Sequence, residues 1–351
     1  MTRMSPGDLR ARCRARRDRA IAAWFDTSVS LLSPGDQPLD VTRFDVEEAV
    51  QRIEPYVRRT PVLEIEPRAF GLEGHLTLKL ELLQHTGSFK ARGAFNRILA
   101  ARERGLLDPE VGVVVASGGN AGMANAYAAA HLGVPATVFV PETAPAVKVA
   151  RLEAYGARVV RSGTEYAHAY ESAQTEVART GALYCHAYDQ PEIVAGAGTL
   201  APELLMQVGG VDTVVVAVGG GGLIGGVTAG LDGRARVVGV EPTGAPTLNR
   251  ALDAGRPVDV PVSGVAADSL GARRLGEIAF EVTSRLPVQS IVVAEDEVVA
   301  ARALLWDRWR VVVEHGAATA LAALTSGALT PRAGETLVVV LCGANTDLST
   351  L

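Results

Sequence analysis

Lysine is scarce in this chain of 351 residues: of 34 basic side chains only Lys79, Lys90 and Lys148 are lysines, and the rest are arginine. An amine can lose its proton and attack a carbonyl, whereas a guanidinium stays charged. A lysine kept against that bias is therefore a candidate for covalent chemistry. The three cysteines, Cys13, Cys185 and Cys342, are scattered and odd in number, which excludes a disulfide framework. No C-x-x-C or H-x-x-x-H pair occurs, so zinc finds no ligand pattern. No apolar run approaches the ~20 residues of a membrane-spanning helix. Positive charge is in deficit, with a formal net charge of −5, which argues against a nucleic-acid surface. The cytoplasm is the expected compartment. The arginine-rich start, "DLRARCRARRDRAIAAWF", carries an apolar patch shorter than the ~7–15 residues of a secretory core and no cleavage signal. It reads as a solvated arm or a segment that packs on a partner subunit.

What the chain does have is core material: 48% hydrophobic and 21% charged residues, in a length that suggests two domains. "SPGDQPLD" (33–40) reads as a linker, followed by a helix over about 46–57. From "LTLKLE" onward, short β-branched runs alternate with alanine-rich helical stretches. The clearest strands are 111–116, 135–140, 157–160, 212–218, 236–241 and 336–342. Gly156 is the expected stop of the helix before the third of these. Strands apolar on both faces and separated by helices imply parallel βαβ units. Three of them end in glycine-rich turns, "ASGGNAGMA", "VGGGGLIGG" and "CGANTD", and ligands collect at such carboxyl ends.

Gly219, Gly220, Gly221 and Gly222, between a strand and a helix, form an anion cradle. Without side chains the amides can approach phosphate oxygens, and the helix N-terminus adds a favourable dipole. The same stretch also satisfies a dinucleotide fingerprint: Gly220, Gly222 and Gly225, with Glu241 at the end of the next strand for a ribose hydroxyl. On that segment alone an NAD-linked oxidoreductase is a sensible alternative.

The lysine turn decides between them. "KLELLQHTGSFKARGAFN", with "SGGNAGMANAYAA", "VAVGGGG" and "LCGAN" in order behind it, resembles the pyridoxal-phosphate (PLP) enzymes of the tryptophan-synthase-β, or type II, fold. Within them it resembles the serine/threonine dehydratases, over about residue 41 to the C-terminus. The resemblance implies an α/β fold of two open, mostly parallel sheets with the cofactor in the crevice between them. It implies a large domain from 45–111 plus 190–351, a small domain at 112–189, residues 1–44 as an extension, and a homodimer.

By match, Lys90 bonds covalently to PLP, and Lys79 and Lys148 are structural or surface residues. Phe89 packs against the cofactor ring and Asn120 bonds its hydroxyl. Gly219 to Gly222 hold the phosphate, and Ser117, Gly118, Gly119, Asn120 and Ala121 grip the substrate carboxylate. Cys342 faces the pyridine nitrogen; a neutral thiol cannot enforce a pyridinium as a carboxylate would, which favours elimination over transamination. Serine racemases of this fold carry a serine where Gly118 stands, so racemisation is expected to be minor. Glu241, Ala245 and Thr247 match a cation site, and the loss of one carboxylate at Thr247 favours K⁺ over a divalent ion. Glu314 opens a small-residue helix like one lining the family's active site, without a defined role. With the chain ending just past the ring-nitrogen strand, the resemblance leads to the expectation that no feedback-regulatory domain is appended. The expected activity is dehydration and deamination of L-serine, L-threonine or a larger β-hydroxy amino acid to a 2-oxo acid and ammonia. β/γ-Replacement, as in cysteine or threonine synthases, is the alternative within the fold.

Overall fold

A computed structural model of the protein describes residues 40–69 and 74–350. The arginine-rich arm, Cys13 and all but the last residue of the expected linker lie outside these described residues. In chain order the described elements are α1 (Arg43–Ile53), β1 (Val62–Glu64), β2 (His75–Lys79), α2 (Lys90–Glu103), β3 (Val113–Ala116), α3 (Asn120–His131), β4 (Ala136–Val140) and α4 (Ala146–Ala154). There follow β5 (Arg158–Arg161), α5 (Tyr166–Thr180), β6 (Leu183–Tyr184), α6 (Pro191–Gly198), α7 (Leu200–Val208), β7 (Thr213–Ala217), α8 (Gly222–Leu231), β8 (Arg236–Pro242) and α9 (Thr247–Ala254). The remainder comprises α10 (Ala267–Leu270), α11 (Glu277–Arg285), β9 (Gln289–Val293), α12 (Glu295–Trp309), α13 (His315–Thr325) and β10 (Thr336–Val340).

The strands form two sheets. One has six strands in the order β1-β2-β10-β7-β8-β9, parallel except for the β1–β2 edge pair. The other has four parallel strands in the order β5-β4-β3-β6. In β7 and β10 the runs Val214–Val216 and Val338–Val340 are fully buried, as sheets covered on both faces require. Each of the six strands read from the sequence is present, with ends shifted by a residue or two. Strand β9 was not anticipated, because "QSIVV" alternates exposed and buried positions and sits at an edge. Gly156 adopts φ +83° just past α4, where a left-handed residue ends the helix.

Helix α2 starts at Lys90 itself, and Ala91, Ala94, Phe95 and Ile98 bury its apolar face in the core beneath the four-stranded sheet. On its other side it meets α6, where Gly93 and Gly196 bring the backbones together. A second glycine seam, Gly198 against Gly226, sets α6 on α8; a Cβ at Gly226 would strike the Val194 carbonyl. The helix carrying Lys90 is thereby wedged between the two sheets' helices by residues too small to let it slide.

Candidate active site

The turn ahead of α2 is tightly specified. Gln84 Oε1 accepts from the amides of His85 (3.0 Å) and Arg58 (2.9 Å), and Gln84 Nε2 donates to Arg58 O at 2.7 Å. Thr86 at φ +61° and Gly87 at φ +76° then reverse the chain, an arrangement that is costly for a β-branched residue. Phe89 N donates to Cys342 O at 3.0 Å, tying the turn to the end of β10.

Beneath the turn lies a buried charge cluster. Arg92 donates to both Glu81 oxygens (2.8 and 2.7 Å) and to Glu203 at 2.9 Å, and Lys79, fully buried, bonds Glu203 (2.5 Å), Gln207 (2.7 Å) and Thr60 O (2.7 Å). Two cations face two carboxylates, so the cluster is neutral as a whole. Burial alone would raise Glu81, but Arg92 and Lys79 hold its carboxyl below the usual range. The Lys-x-Glu-x-x-Gln and Lys-x-Arg parts of the motif are thus the foundation of the lysine turn. Lys79 is structural, and Lys148 pairs with Asp268 at the surface.

Lys90 Nζ stands 5.0 Å from the Phe89 ring centroid and donates to Ala187 O at 2.8 Å. Burial pulls its ammonium down to about 8, with nearby Cys342 and Glu314 opposing. Such an amine is partly neutral near physiological pH, as a carbonyl-attacking nucleophile must be. The Cys342 thiol is pushed far above its ordinary value by burial and stays protonated.

Asn120 opens α3. Its Nδ2 donates to both Glu314 oxygens (2.9 and 3.1 Å), and its Oδ1 accepts from Asn345 Nδ2 at 2.8 Å. Asn345 also donates to Thr86 O at 2.7 Å, so one side chain spans the lysine turn and the "SGGN" turn. Burial raises Glu314 to about 7, against the Asn120 hydrogen bonds and the Lys90 charge. The sequence left Glu314 without a role and passed over Asn345, although both lie in glycine-flanked motifs at strand or helix ends. In the same turn Gly119 N donates to Ser117 Oγ at 3.3 Å, and Ala121 is buried. A Cβ added at Gly118 would meet only Val140 Cγ1, at 3.4 Å.

Gly221 sits at φ +89° and caps α8, which begins at Gly222. Added side-chain carbons would press on Leu270 at Gly219, on the Tyr188 ring at Gly220, on Ala279 at Gly221 and on Tyr188 O at Gly222. An added carbon clashes at Gly220, Gly221 and Gly222 and is tight at Gly219, and all four leave a bare backbone at a helix N-terminus. Ser88 Oγ, buried two residues before Lys90, has no hydrogen-bond partner among the described residues. A depressed amine, a bare anion cradle and an orphaned hydroxyl fit pyridoxal phosphate.

The dinucleotide alternative fails on Glu241. Its side chain is fully buried and accepts from Thr247 Oγ1 (3.0 Å), Leu248 N (2.7 Å) and Asn249 N (2.8 Å), capping α9, so no ribose can reach it. Burial raises this carboxyl to about 7 despite those bonds. Thr247 Oγ1 also lies 2.5 Å from Gly219 O, linking the cap to the glycine cradle, and Ala245 is buried in the turn between.

One residue group was not anticipated. The loop after β6 carries His186, Ala187, Tyr188 and Asp189 past Lys90 and against Gly220 and Gly222. His186 Nδ1 accepts from Tyr188 N (3.2 Å) and Asp189 N (2.8 Å), which places any ring proton on Nε2. Asp189 caps α11 through Glu277 N and Ile278 N, both at 3.1 Å. The "CHAYDQ" stretch has no repeated glycine or lone lysine to draw the eye.

Two open parallel sheets whose strand ends converge on a depressed lysine and a glycine cradle define a type II PLP enzyme. Comparison with known proteins agrees. Residues 53–343 match the family described as pyridoxal-phosphate dependent enzyme. The chain is 36% identical to an L-threonine ammonia-lyase of Geobacter sulfurreducens, over 87% of this chain and 76% of that one. It is 38% identical to a phenylserine dehydratase of Ralstonia pickettii, over 85% and 91% respectively. Among solved structures, a serine racemase from Dictyostelium discoideum superposes with a TM-score of 0.81 at 33% identity, covering 88% of this chain and 99% of that one. The chain belongs to the PLP-dependent enzymes, in the serine/threonine dehydratase family. Among the described residues no helix is long and apolar enough to cross a membrane.

Proposed function

We propose that the protein dehydrates and deaminates a β-hydroxy amino acid, giving a 2-oxo acid and ammonia. The observation that carries this reading is the Lys90 amine, drawn down to about 8 beside the glycine cradle and the Asn120–Glu314 pair. PLP, when bound, supplies an electron sink for the charge left at the substrate Cα. Lys90 would hold the cofactor covalently, and its Nζ, when free, would take the Cα proton as general base. The backbone of Gly219 to Gly222 would bind the phosphate, Phe89 would pack against the ring, and Asn120, fixed by Glu314 and Asn345, would orient the ring hydroxyl. Ser117 to Ala121 grip the substrate carboxylate. Cys342 keeps its proton and would serve the ring nitrogen without charging it. The net change needs no outside oxidant: hydroxyl and Cα proton leave as water, and the resulting enamine tautomerises and hydrolyses to 2-oxo acid and ammonia.

The similarity to a threonine ammonia-lyase and a phenylserine dehydratase supports dehydration as the shared reaction. The purified protein is expected to absorb near the visible as a lysine-bound cofactor and to release 2-oxo acid from β-hydroxy amino acids. Lys90→Ala should lose that absorbance and at least ~10³-fold of turnover, since one residue serves as both anchor and base. Full turnover in Lys90→Ala would sink the proposal. A potassium ion at Glu241, Ala245 and Thr247 is part of this reading. Exchanging KCl for tetramethylammonium chloride should then lower cofactor retention, and unchanged retention removes the ion.

A further inference from the structure

Four of the chain's seven tyrosines fall between residues 166 and 188, in a protein only 5% aromatic. They are not dispersed in the fold. Tyr166 stacks on Tyr170 (6.4 Å between centroids), Tyr170 meets Tyr184 edge-on (6.0 Å), Tyr184 meets His186 (6.2 Å), and His186 meets Tyr188 at 4.7 Å. This row runs from Tyr166, half exposed at the start of α5, to the Tyr188 ring on Gly220 of the cradle. Its inner end flanks the catalytic amine, since Lys90 bonds the carbonyl of Ala187, between His186 and Tyr188.

We propose that the inner end of this row, His186 and Tyr188, receives the β-substituent of the substrate, and that the preferred substrates are β-hydroxy amino acids with an aromatic ring on the β-carbon. The inference rests on the dehydratase reading above and sharpens it to a substrate class. Serine offers this wall a hydrogen and threonine a methyl, neither of which covers a ring; an aryl group would cover it and gain edge or offset stacking. The wall presents apolar faces rather than charge. His186 is held neutral by burial and by Lys90, against the pull of Asp189, with two backbone amides donating to its Nδ1. Tyr188 Oη turns to Arg274 O at 3.3 Å, and the ring lies on Gly220 of the cradle. An acidic β-substituent would need a free cation, but Arg274 is engaged by Asp259 (3.6 Å) and Glu277 (3.1 Å).

The test uses the PLP-loaded enzyme with L-threo-phenylserine, L-threonine and L-serine, and follows 2-oxo acid release. kcat/KM should favour phenylserine over serine by at least about tenfold, the worth of one well-placed ring contact. Tyr188→Leu should cut that ratio by a similar factor, whereas Tyr188→Phe should preserve it. Tyr188→Met, which removes the same ring with an unbranched side chain, provides the same test should the leucine variant fail to fold. Calorimetric binding of L-phenylalanine against L-alanine, which have no leaving group, reads the wall without turnover and should favour phenylalanine. A preference for serine or threonine, or a ratio untouched by Tyr188→Leu and by Tyr188→Met, overturns the proposal while leaving the dehydratase reading standing. Failure of the protein to bind PLP at all would take both down.

Discussion

Lys90 and Glu314 titrate close together, and the order in which they do so is the first thing solution work can check. A lysine at its ordinary value of 10.5 would gain nucleophilicity steadily up to that pH; with the amine at about 8, condensation of the apo protein with PLP should rise through pH 8 and then level off. Stopped-flow absorbance at a series of pH values reads this directly. Glu314, raised to about 7, is protonated below that pH and loses one acceptor for Asn120 Nδ2. Glu314→Gln should therefore erase a transition near pH 7 in the spectrum of the bound cofactor while keeping the fold. Gly118→Ser should introduce slow racemisation, measurable as D-serine, because a Cβ there has 3.4 Å to its nearest neighbour. Lys90 was legible from its motif and from its rarity. Asn345 and Tyr188 were not, since each acts through neighbours far off in sequence: Asn345 joins residues 259 and 225 positions away.

At the scale of elements, the site depends on how α2 is seated. Its first turn carries Arg92, only 1% exposed, whose guanidinium closes the pairs to Glu81 and Glu203. Arg92→Ala leaves Glu81 buried with less counter-charge, and a loss of about 3–5 kcal/mol in urea unfolding is expected. The glycine seam between α6 and α8 makes a separate demand. Gly226→Ala pushes a methyl into the Val194 carbonyl and should cost about 1–3 kcal/mol. Strands such as β7 and β10 were readable because unbroken valine runs admit few other fates. The seam was not, because a glycine in "GLIGGV" looks the same whether it serves a ligand or a neighbouring helix. The dinucleotide reading went astray for that reason: Gly225 fits the fingerprint but packs on Ala279 and Val194.

Over the whole molecule, two cores share one wedge. The larger cluster fills the space around the six-stranded sheet and the smaller lies beneath the four-stranded one, with α2 belonging to the second while its N-terminus is held by β10 of the first. Cofactor held by Lys90, as proposed above, would couple the two cores. Removing PLP should lower the melting temperature, and restoring it at 1,000 times its Kd should return about 4 kcal/mol. Calorimetry with and without added PLP measures the difference. The alternation of strands and helices announced such an architecture, but the sequence could not show that the lysine helix leans on the smaller core, because only the fold brings Phe95 and Ile98 to Val113 and Val138.

The arginine bias has a practical corollary. Of the three ε-amino groups, Lys79 is sealed in its ion cluster, Lys148 is held by Asp268, and Lys90 alone combines access from the crevice with a depressed pKa. Once PLP is stripped, an aldehyde-bearing dye fixed by mild reductant at pH 8 should tag a single ε-nitrogen among the side chains. The apo protein thus offers a built-in site for labelling, one that consumes the proposed catalytic base and so reports cofactor loading by what it fails to tag.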